Sequence, residues 1–123
     1  MNNAINWFEL PARDHERVAK FYETILGAEL RREVFFGTPN VIFPYEQGGV
    51  GGAVIASDSL QPTRGGALVY LNARGDIDGV LSRVEAAGGS IVSPKQQIGP
   101  MGYIAIIEDS EGNQVGLHQP LAD

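Results

Sequence analysis

The sequence predicts an α+β fold in which two tandem βαβββ modules form a curved mixed sheet around a shared cleft. The first observation is a pair of amphipathic helices, each followed at once by a glycine that can end it, Gly27 and Gly88. The second is an internal repeat, because the 61 residues between these glycines (88 minus 27) also separate the strands predicted around each helix. We therefore treat the 123 residues as one domain, with modules at 1–57 and 65–120 and a linker at 58–64.

Module one is predicted to begin with a strand over residues 5–10, which Pro11 ends. Asp14 can cap the helix that follows, since its side chain can accept from the first free backbone N–H groups. One face of this helix is apolar and consists of Val18, Phe21, Tyr22, Ile25 and Leu26. Glycine-containing turns then separate three predicted strands, over 29–36, 40–45 and 51–57.

Module two repeats this plan, with a strand over 67–72 and a helix that Asp76 or Asp78 can cap. The apolar face of the helix consists of Ile77, Val80, Leu81 and Val84. A short strand is predicted over 90–93, followed by a loop over 94–101 that is placed to cover one end of the cleft.

The chain ends on a predicted β-hairpin, in which runs 103–107 and 114–118 flank the turn residues of 109–113. Side chains alternate between the two faces of a strand. Val115 and Leu117 should therefore face the helix, while Gln114, Gly116 and His118 should face the cleft.

Composition excludes several classes of partner and site. The net charge of −6 argues against nucleic acid and anionic membranes, which both require a basic surface. The absence of cysteine excludes thiolate metal sites and a cysteine nucleophile. No apolar run is long enough to cross a membrane and no basic, then apolar, leader begins the sequence, so a cytoplasmic location is expected.

Two segments carry a family resemblance. Residues 14–27, with Phe21-Tyr22 followed by Ile25-Leu26-Gly27, resemble the first helix of the vicinal oxygen chelate superfamily of glyoxalases, bleomycin-resistance proteins and extradiol dioxygenases. Residues 108–113 resemble the hairpin before the last strand of that family. The resemblance implies the double βαβββ fold. For the enzymes it also implies a divalent metal, held by His, Gln or Glu of the first and last strands, that acts as a Lewis acid.

The positions that match the family's metal ligands carry other side chains here. The resemblance places the first ligand at Trp7 and the last at Gly116, and the offset of 61 adds Leu68 and Ile55. None of these four residues offers the oxygen or imidazole that a divalent cation requires. We therefore predict no metal cofactor. A divalent metal displaced onto Glu9 and His118 remains an alternative, although it lacks a third donor.

One step along each strand, a polar ring is predicted to consist of Glu9, Ser57, Tyr70 and His118. Glu9 and His118 are the candidate catalytic acid and base, and the alternative is that both are solvated or satisfy each other without chemistry. The predicted ligand-binding residues are Trp7, Ile55, Ser57, Leu68, Tyr70, Tyr103, Gln114 and Gly116. For Tyr103, which alternates with Ala105 and Ile107, core packing is an equal alternative.

The sequence is consistent with two functions. The first is a metal-free module that encloses a small molecule, similar to the bleomycin-resistance members. The second is an enzyme of the same superfamily that uses Glu9 and His118, such as a lyase related to lactoylglutathione lyase, an isomerase or a dioxygenase-type enzyme. A homodimer is expected in either case, because one helix cannot cover both faces of each module's sheet and relatives commonly pair.

Overall fold

Both helices begin and end where the sequence predicts. In the computed structural model, which describes residues 4–121, Asp14 accepts hydrogen bonds at 3.1 Å from the backbone nitrogens of Glu16 and Arg17. Of the two candidate caps for the second helix it is Asp76 that accepts, from the nitrogen of Gly79 at 3.1 Å. Gly27 and Gly88 end the helices with φ of 65° and 108°. These angles lie in the left-handed region, which residues with a side chain rarely adopt.

The elements follow the predicted βαβββ order twice. Module one consists of β1 (Trp7–Pro11), α1 (His15–Leu26), β2 (Arg31–Phe35), β3 (Thr38–Ile42) and β4 (Gly51–Ile55). Module two consists of β5 (Tyr70–Asn72), α2 (Ile77–Ala87), β6 (Ser90–Gln97), a 3₁₀ turn (Gly99–Met101), β7 (Tyr103–Glu108) and β8 (Gln114–Gln119). The α+β class is confirmed.

Each module contains a four-stranded mixed sheet of the same topology. The strand orders are β1-β4-β3-β2 and β5-β8-β7-β6, in which the first and last strand of each module pair in parallel. The remaining pairs are antiparallel. β1 and β5 are edge strands of separate sheets, so each sheet has its own pair of faces.

One face of each sheet packs against the helices and forms a common core. The five residues predicted on the apolar face of α1 are all buried, as are Val115 and Leu117 of β8. Tyr22 of α1 packs edge-on against Phe43, with ring centroids 5.1 Å apart. α1 also contacts α2, so the two modules meet through their helices. We call the opposite, uncovered face of each sheet its open face.

The predicted loop over 94–101 is mostly strand, and that prediction was wrong. β6 continues to Gln97 because β7 offers it partners, with Gln96 paired to Ile104 and Gln97 to Tyr103. Irregularities in the ladder on both sides of Ser93 absorb Pro94, which has no N–H to donate. Only Ile98 to Gly102 remain as a tight turn. No helix within residues 4–121 is long and apolar enough to cross a membrane.

Candidate functional site

The open face of module one carries four of the predicted site residues together. Trp7 and Glu9 project from β1, and Ile55 projects from β4. With Ser57 these side chains line a cavity of about 440 Å³, which also includes Phe35, Thr38 and Asn40. This volume lies in the range of small-molecule sites.

Aromatic rings form one wall of this face. Trp7 and Tyr45 meet edge to face, with ring centroids 6.0 Å apart, and both remain more than 40% exposed. The Tyr45 ring lies directly over Gly51, where any Cβ would collide with it. The sequence analysis missed Tyr45, although a glycine inside a strand is a known sign of a close approach by another group.

Glu9 lies beside this wall. The indole N–H of Trp7 donates to Glu9 Oε2 at 3.4 Å, and the carboxylate is otherwise exposed to solvent. On the same face, Arg31 of β2 is paired with Glu33, with 3.2 Å between Nε and Oε2. Across the described part of the chain Glu9 forms no ion pair.

The open face of module two has its own aromatic ring over a glycine. Tyr70 of β5 pairs with Gly116 of β8, and its ring occupies the space into which a side chain at 116 would project. On the same face, His118 Nε2–H donates to the carbonyl of Met101 at 2.8 Å, which fixes the tautomer of a neutral ring because a carbonyl can only accept.

Tyr103 lies on the other face of this sheet. Its ring packs against the core beneath α2, and the ammonium of Lys95 lies 4.6 Å from the ring centroid. Lys95 in turn bonds Asp78 of α2 at 3.1 Å. The core alternative for Tyr103 is therefore the one the structure shows, and its placement in the cleft is corrected.

Apart from Tyr103, the nine residues predicted to line the cleft divide among three places. Trp7, Glu9, Ile55 and Ser57 line the cavity of module one. Leu68 and Tyr70 line a crevice of about 700 Å³ between the edges of the two sheets. Gln114, Gly116 and His118 lie on β8, outside both linings. Neither lining includes both Glu9 and His118, and no hydrogen bond or ion pair within residues 4–121 links these two residues.

The repeat is not uniform. The Ala12 nitrogen donates to Ile55 O at 2.8 Å, and the Ala73 nitrogen donates to His118 O at 2.9 Å. Equivalent residues after the first strands of the two modules are therefore 61 residues apart in the sequence (73 minus 12), and equivalent residues of the last strands are 63 residues apart (118 minus 55). Module two has two more residues between its helix and its last strand, so Ile55 corresponds to His118 and Ala53 to Gly116. An even shift leaves each residue on its predicted face but moves it along the strand.

The corrected register leaves the donor set unsuited to a metal. The four positions at which the resemblance predicts the family's metal ligands become Trp7, Ala53, Leu68 and Gly116, and none of these residues carries a carboxylate or an imidazole. Among residues 4–121, no three His, Asp or Glu side chains converge. A divalent cation needs several such donors, so the side chains at these positions do not fit one.

The predicted hairpin turn also joins the two modules, which the sequence analysis did not foresee. We call residues 109–113 the clasp. Its Glu111 side chain is fully buried, accepts from Arg17 Nε at 2.6 Å and Nη2 at 3.0 Å, and accepts from the backbone nitrogens of Arg13 and Asp14. Asn113 Nδ2 donates to the carbonyl of Pro11 at 2.7 Å.

A second buried contact of the clasp joins Asp109 to the Tyr22 hydroxyl of α1, at 2.7 Å. Burial, followed by the charge of Asp109, raises the pKa of Tyr22 well above its ordinary value. Burial alone would raise the pKa of Glu111. Hydrogen bonds from Arg17 and the backbone of Arg13 and Asp14 together outweigh that effect and lower this pKa. The Glu111 carboxylate of the clasp is therefore charged at neutral pH, where it joins the two modules.

Comparison with known proteins agrees with this architecture. Residues 4–117 match the family model described as Glyoxalase/Bleomycin resistance protein/Dioxygenase superfamily. The "Putative glyoxylase CFP32" of Mycobacterium tuberculosis is 29% identical over 122 residues, which is 93% of this chain and 44% of that protein. The chain thus spans less than half the length of this curated relative.

Solved structures share the fold at low sequence identity. A glyoxalase/bleomycin resistance protein of Albidiferax ferrireducens has a TM-score of 0.71 at 20% identity, covering 96% of this chain and all of that one. The antibiotic binding protein TnmS3 of a Streptomyces species has a TM-score of 0.67 at 21% identity, covering 97% of each chain. The fosfomycin resistance protein FosX of Listeria monocytogenes has a TM-score of 0.66 at 17% identity, covering all of this chain and 95% of that one. The chain therefore belongs to the glyoxalase/bleomycin resistance protein/dioxygenase superfamily.

Proposed function

We propose that this chain binds a flat, largely apolar small molecule on the open face of module one and does so without the family's metal. The observation that carries the proposal is the aromatic wall of Trp7 and Tyr45, beside a cavity of about 440 Å³. Exposed aromatic rings cost little entropy to order and offer a broad stacking surface, so they are common in ligand sites.

Two features support a binding role. The positions at which the family's metal ligands are predicted carry no side chain that can bind a metal. The last of these positions is Gly116, and the Tyr70 ring fills the space above it. Among structural relatives, one is named as an antibiotic binding protein and another as a fosfomycin resistance protein, so this fold holds small molecules in other chains. The glyoxylase name belongs to a longer relative, and lyase activity here would need Glu9 and His118 to meet.

We also propose that two chains pair with their open faces opposed, so that module two of one protomer covers the cavity of the other. The support is the exposure of apolar side chains around that cavity. Phe35, which lines the cavity, and Phe36 at the β2–β3 turn are 47% and 106% exposed, and exposed apolar patches mark interaction surfaces.

We expect light scattering at micromolar concentration to give twice the 13.2 kDa chain mass. Phe36→Ser should shift the equilibrium toward monomer, because it removes an apolar side chain that only a partner could cover. The control is Ile91→Ser, another apolar-to-serine change at a 40% exposed residue on the helix-facing side of module two, where Ile91 pairs with Ile107. A monomeric wild-type chain would contradict the dimer.

Trp7 is the single tryptophan of the chain, so its fluorescence reports directly on the proposed site. We expect planar two-ring compounds to quench it, and Trp7→Ala to weaken their binding in calorimetry by at least about tenfold through loss of the stacking surface. Trp7→Phe should retain most of the affinity because it keeps an aromatic face.

The same preparation tests the absence of the metal. Protein purified without chelator should contain far less than one transition metal per chain. A stoichiometric metal, or substrate turnover that Glu9→Gln and His118→Gln each abolish, would favour the superfamily's enzyme chemistry over simple binding.

A further inference from the structure

We infer that the ligand carries a positive charge, such as a protonated amine, an amidine or a quaternary ammonium group, that Glu9 recognises. The inference rests on the proposed function, because it concerns the same cavity on the open face of module one. It follows from three properties of the lining: its charge, its hydrogen-bonding groups and its aromatic rings.

The charge of the lining is that of Glu9. The other lining side chains are neutral: Trp7, Phe35, Thr38, Asn40, Ile55 and Ser57. On the whole open face of this sheet, the positive charge of Arg31 is balanced by Glu33. Among the described residues, Glu9 is therefore the one charged side chain of the cavity lining, in a chain whose net charge is −6. A cationic ligand gains from this field and an anionic ligand is repelled.

The hydrogen-bonding groups of the lining also favour a donor. The indole N–H of Trp7 is directed to Glu9, the amide of Asn40 donates to Thr38 O at 3.0 Å, and the hydroxyl of Ser57 bonds that of Ser59 at 2.9 Å. These groups are engaged within the chain, whereas the Glu9 carboxylate retains free acceptor positions. A ligand that brings its own N–H donors or a cationic head therefore finds free acceptor positions on Glu9.

The aromatic rings add a second attraction for the same charge. The N–H edge of the Trp7 indole is bonded to the Glu9 carboxylate, so a cation that Glu9 holds above the plane of the ring also lies near the indole face. Cations are attracted to the faces of aromatic rings, most strongly to Trp. Phe35, which is 47% exposed, forms another part of the lining. The ligand class is thus a flat apolar body with a cationic substituent.

The test uses three probes with the same two-ring body: 1-methylquinolinium as the cation, quinoline at pH 8 as the neutral form, and 2-naphthoate as the anion. Binding to the full chain is measured by calorimetry and by Trp7 fluorescence at low salt. We expect the cation to bind about tenfold more tightly than quinoline, as an ion pair with Glu9 together with a cation–π contact to Trp7 would give. Added salt should reduce this advantage.

The variant Glu9→Gln should abolish the preference for the cation, so that 1-methylquinolinium and quinoline bind this variant with similar affinity. The control Glu85→Gln makes the same charge change at an exposed position on α2 and should retain the preference. Equal binding of the three probes, or preference for 2-naphthoate, would overturn the inference and leave the proposed function standing. Binding of none of the three would overturn both.

Discussion

Replacement of Glu111 by alanine is expected to lower the free energy of unfolding by about 3 kcal/mol. The reason is that four contacts from module one converge on this carboxylate, whose side chain is fully buried. Its removal takes the acceptor from the part-buried backbone nitrogens of Arg13 and Asp14 at the start of α1 and the partner from Arg17, and donors that lose their partner away from water are costly. Urea unfolding at pH 7 measures the change.

The control is Glu85→Ala, which removes an exposed carboxylate from α2 and should change stability by less than about 0.5 kcal/mol. Tyr22→Phe tests the other buried contact of the clasp and should cost about 2 kcal/mol, since it removes a hydrogen bond to a buried carboxylate. If Glu111→Ala were no more destabilising than the exposed control, the clasp would not be the joint between the modules.

The clasp also gives stability a defined pH dependence. The pKa of Glu111 is lower in the folded chain than its ordinary value of 4.5. As the pH falls, Glu111 therefore binds a proton in the unfolded chain before it does so in the folded chain. Its contribution to the free energy of unfolding is complete above pH 4.5 and is lost as the pH falls through the pKa of the folded chain. The variant Glu111→Gln should accordingly show a flatter fall in stability in acid than the wild type.

Local chemistry explains why much of the fold could be predicted. Asp14 and Gly27 bound α1 because a carboxylate accepts from free N–H groups and glycine adopts φ of 65° without strain. Alternation along β8 placed Val115 and Leu117 in the core correctly. Such features depend on neighbours within a few residues, which the sequence displays directly.

Long-range partners explain what could not be predicted. The extension of β6 to Gln97 depends on β7, and the role of Glu111 depends on Arg17, which lies 94 residues away. The sequence analysis matched Ile55 with Gly116, whereas the structure matches Ile55 with His118. The cause is the two extra residues before β8. An error of two residues keeps each residue on the same face of its strand. The predicted faces of the last strands therefore agree with the structure, although the predicted matches along those strands do not.

The second large effect is expected at Gly102, where alanine should lower the free energy of unfolding by about 3 kcal/mol. Gly102 has φ of 110° and ψ of −143°, a conformation that residues with a side chain rarely adopt. A Cβ here would lie 2.8 Å from Pro120 Cα and closer still to the Gln119 carbonyl. Both neighbours are backbone, so no change of rotamer relieves the collision.

Gly65→Ala is the matched control, because the nearest atom to its Cβ would be Thr63 Oγ1 at 4.0 Å, and it should change stability by less than about 0.5 kcal/mol. A second readout links the turn to the site. Ile98 N donates to Gly102 O at 2.8 Å, which closes the turn that presents the Met101 carbonyl to His118. In Gly102→Ala the turn must open to relieve the collision, so the ¹⁵N shift of His118 Nε2 should move in nuclear magnetic resonance spectra. Unchanged stability together with an unchanged His118 signal would show that the backbone accommodates the methyl group, and that the turn does not position this histidine.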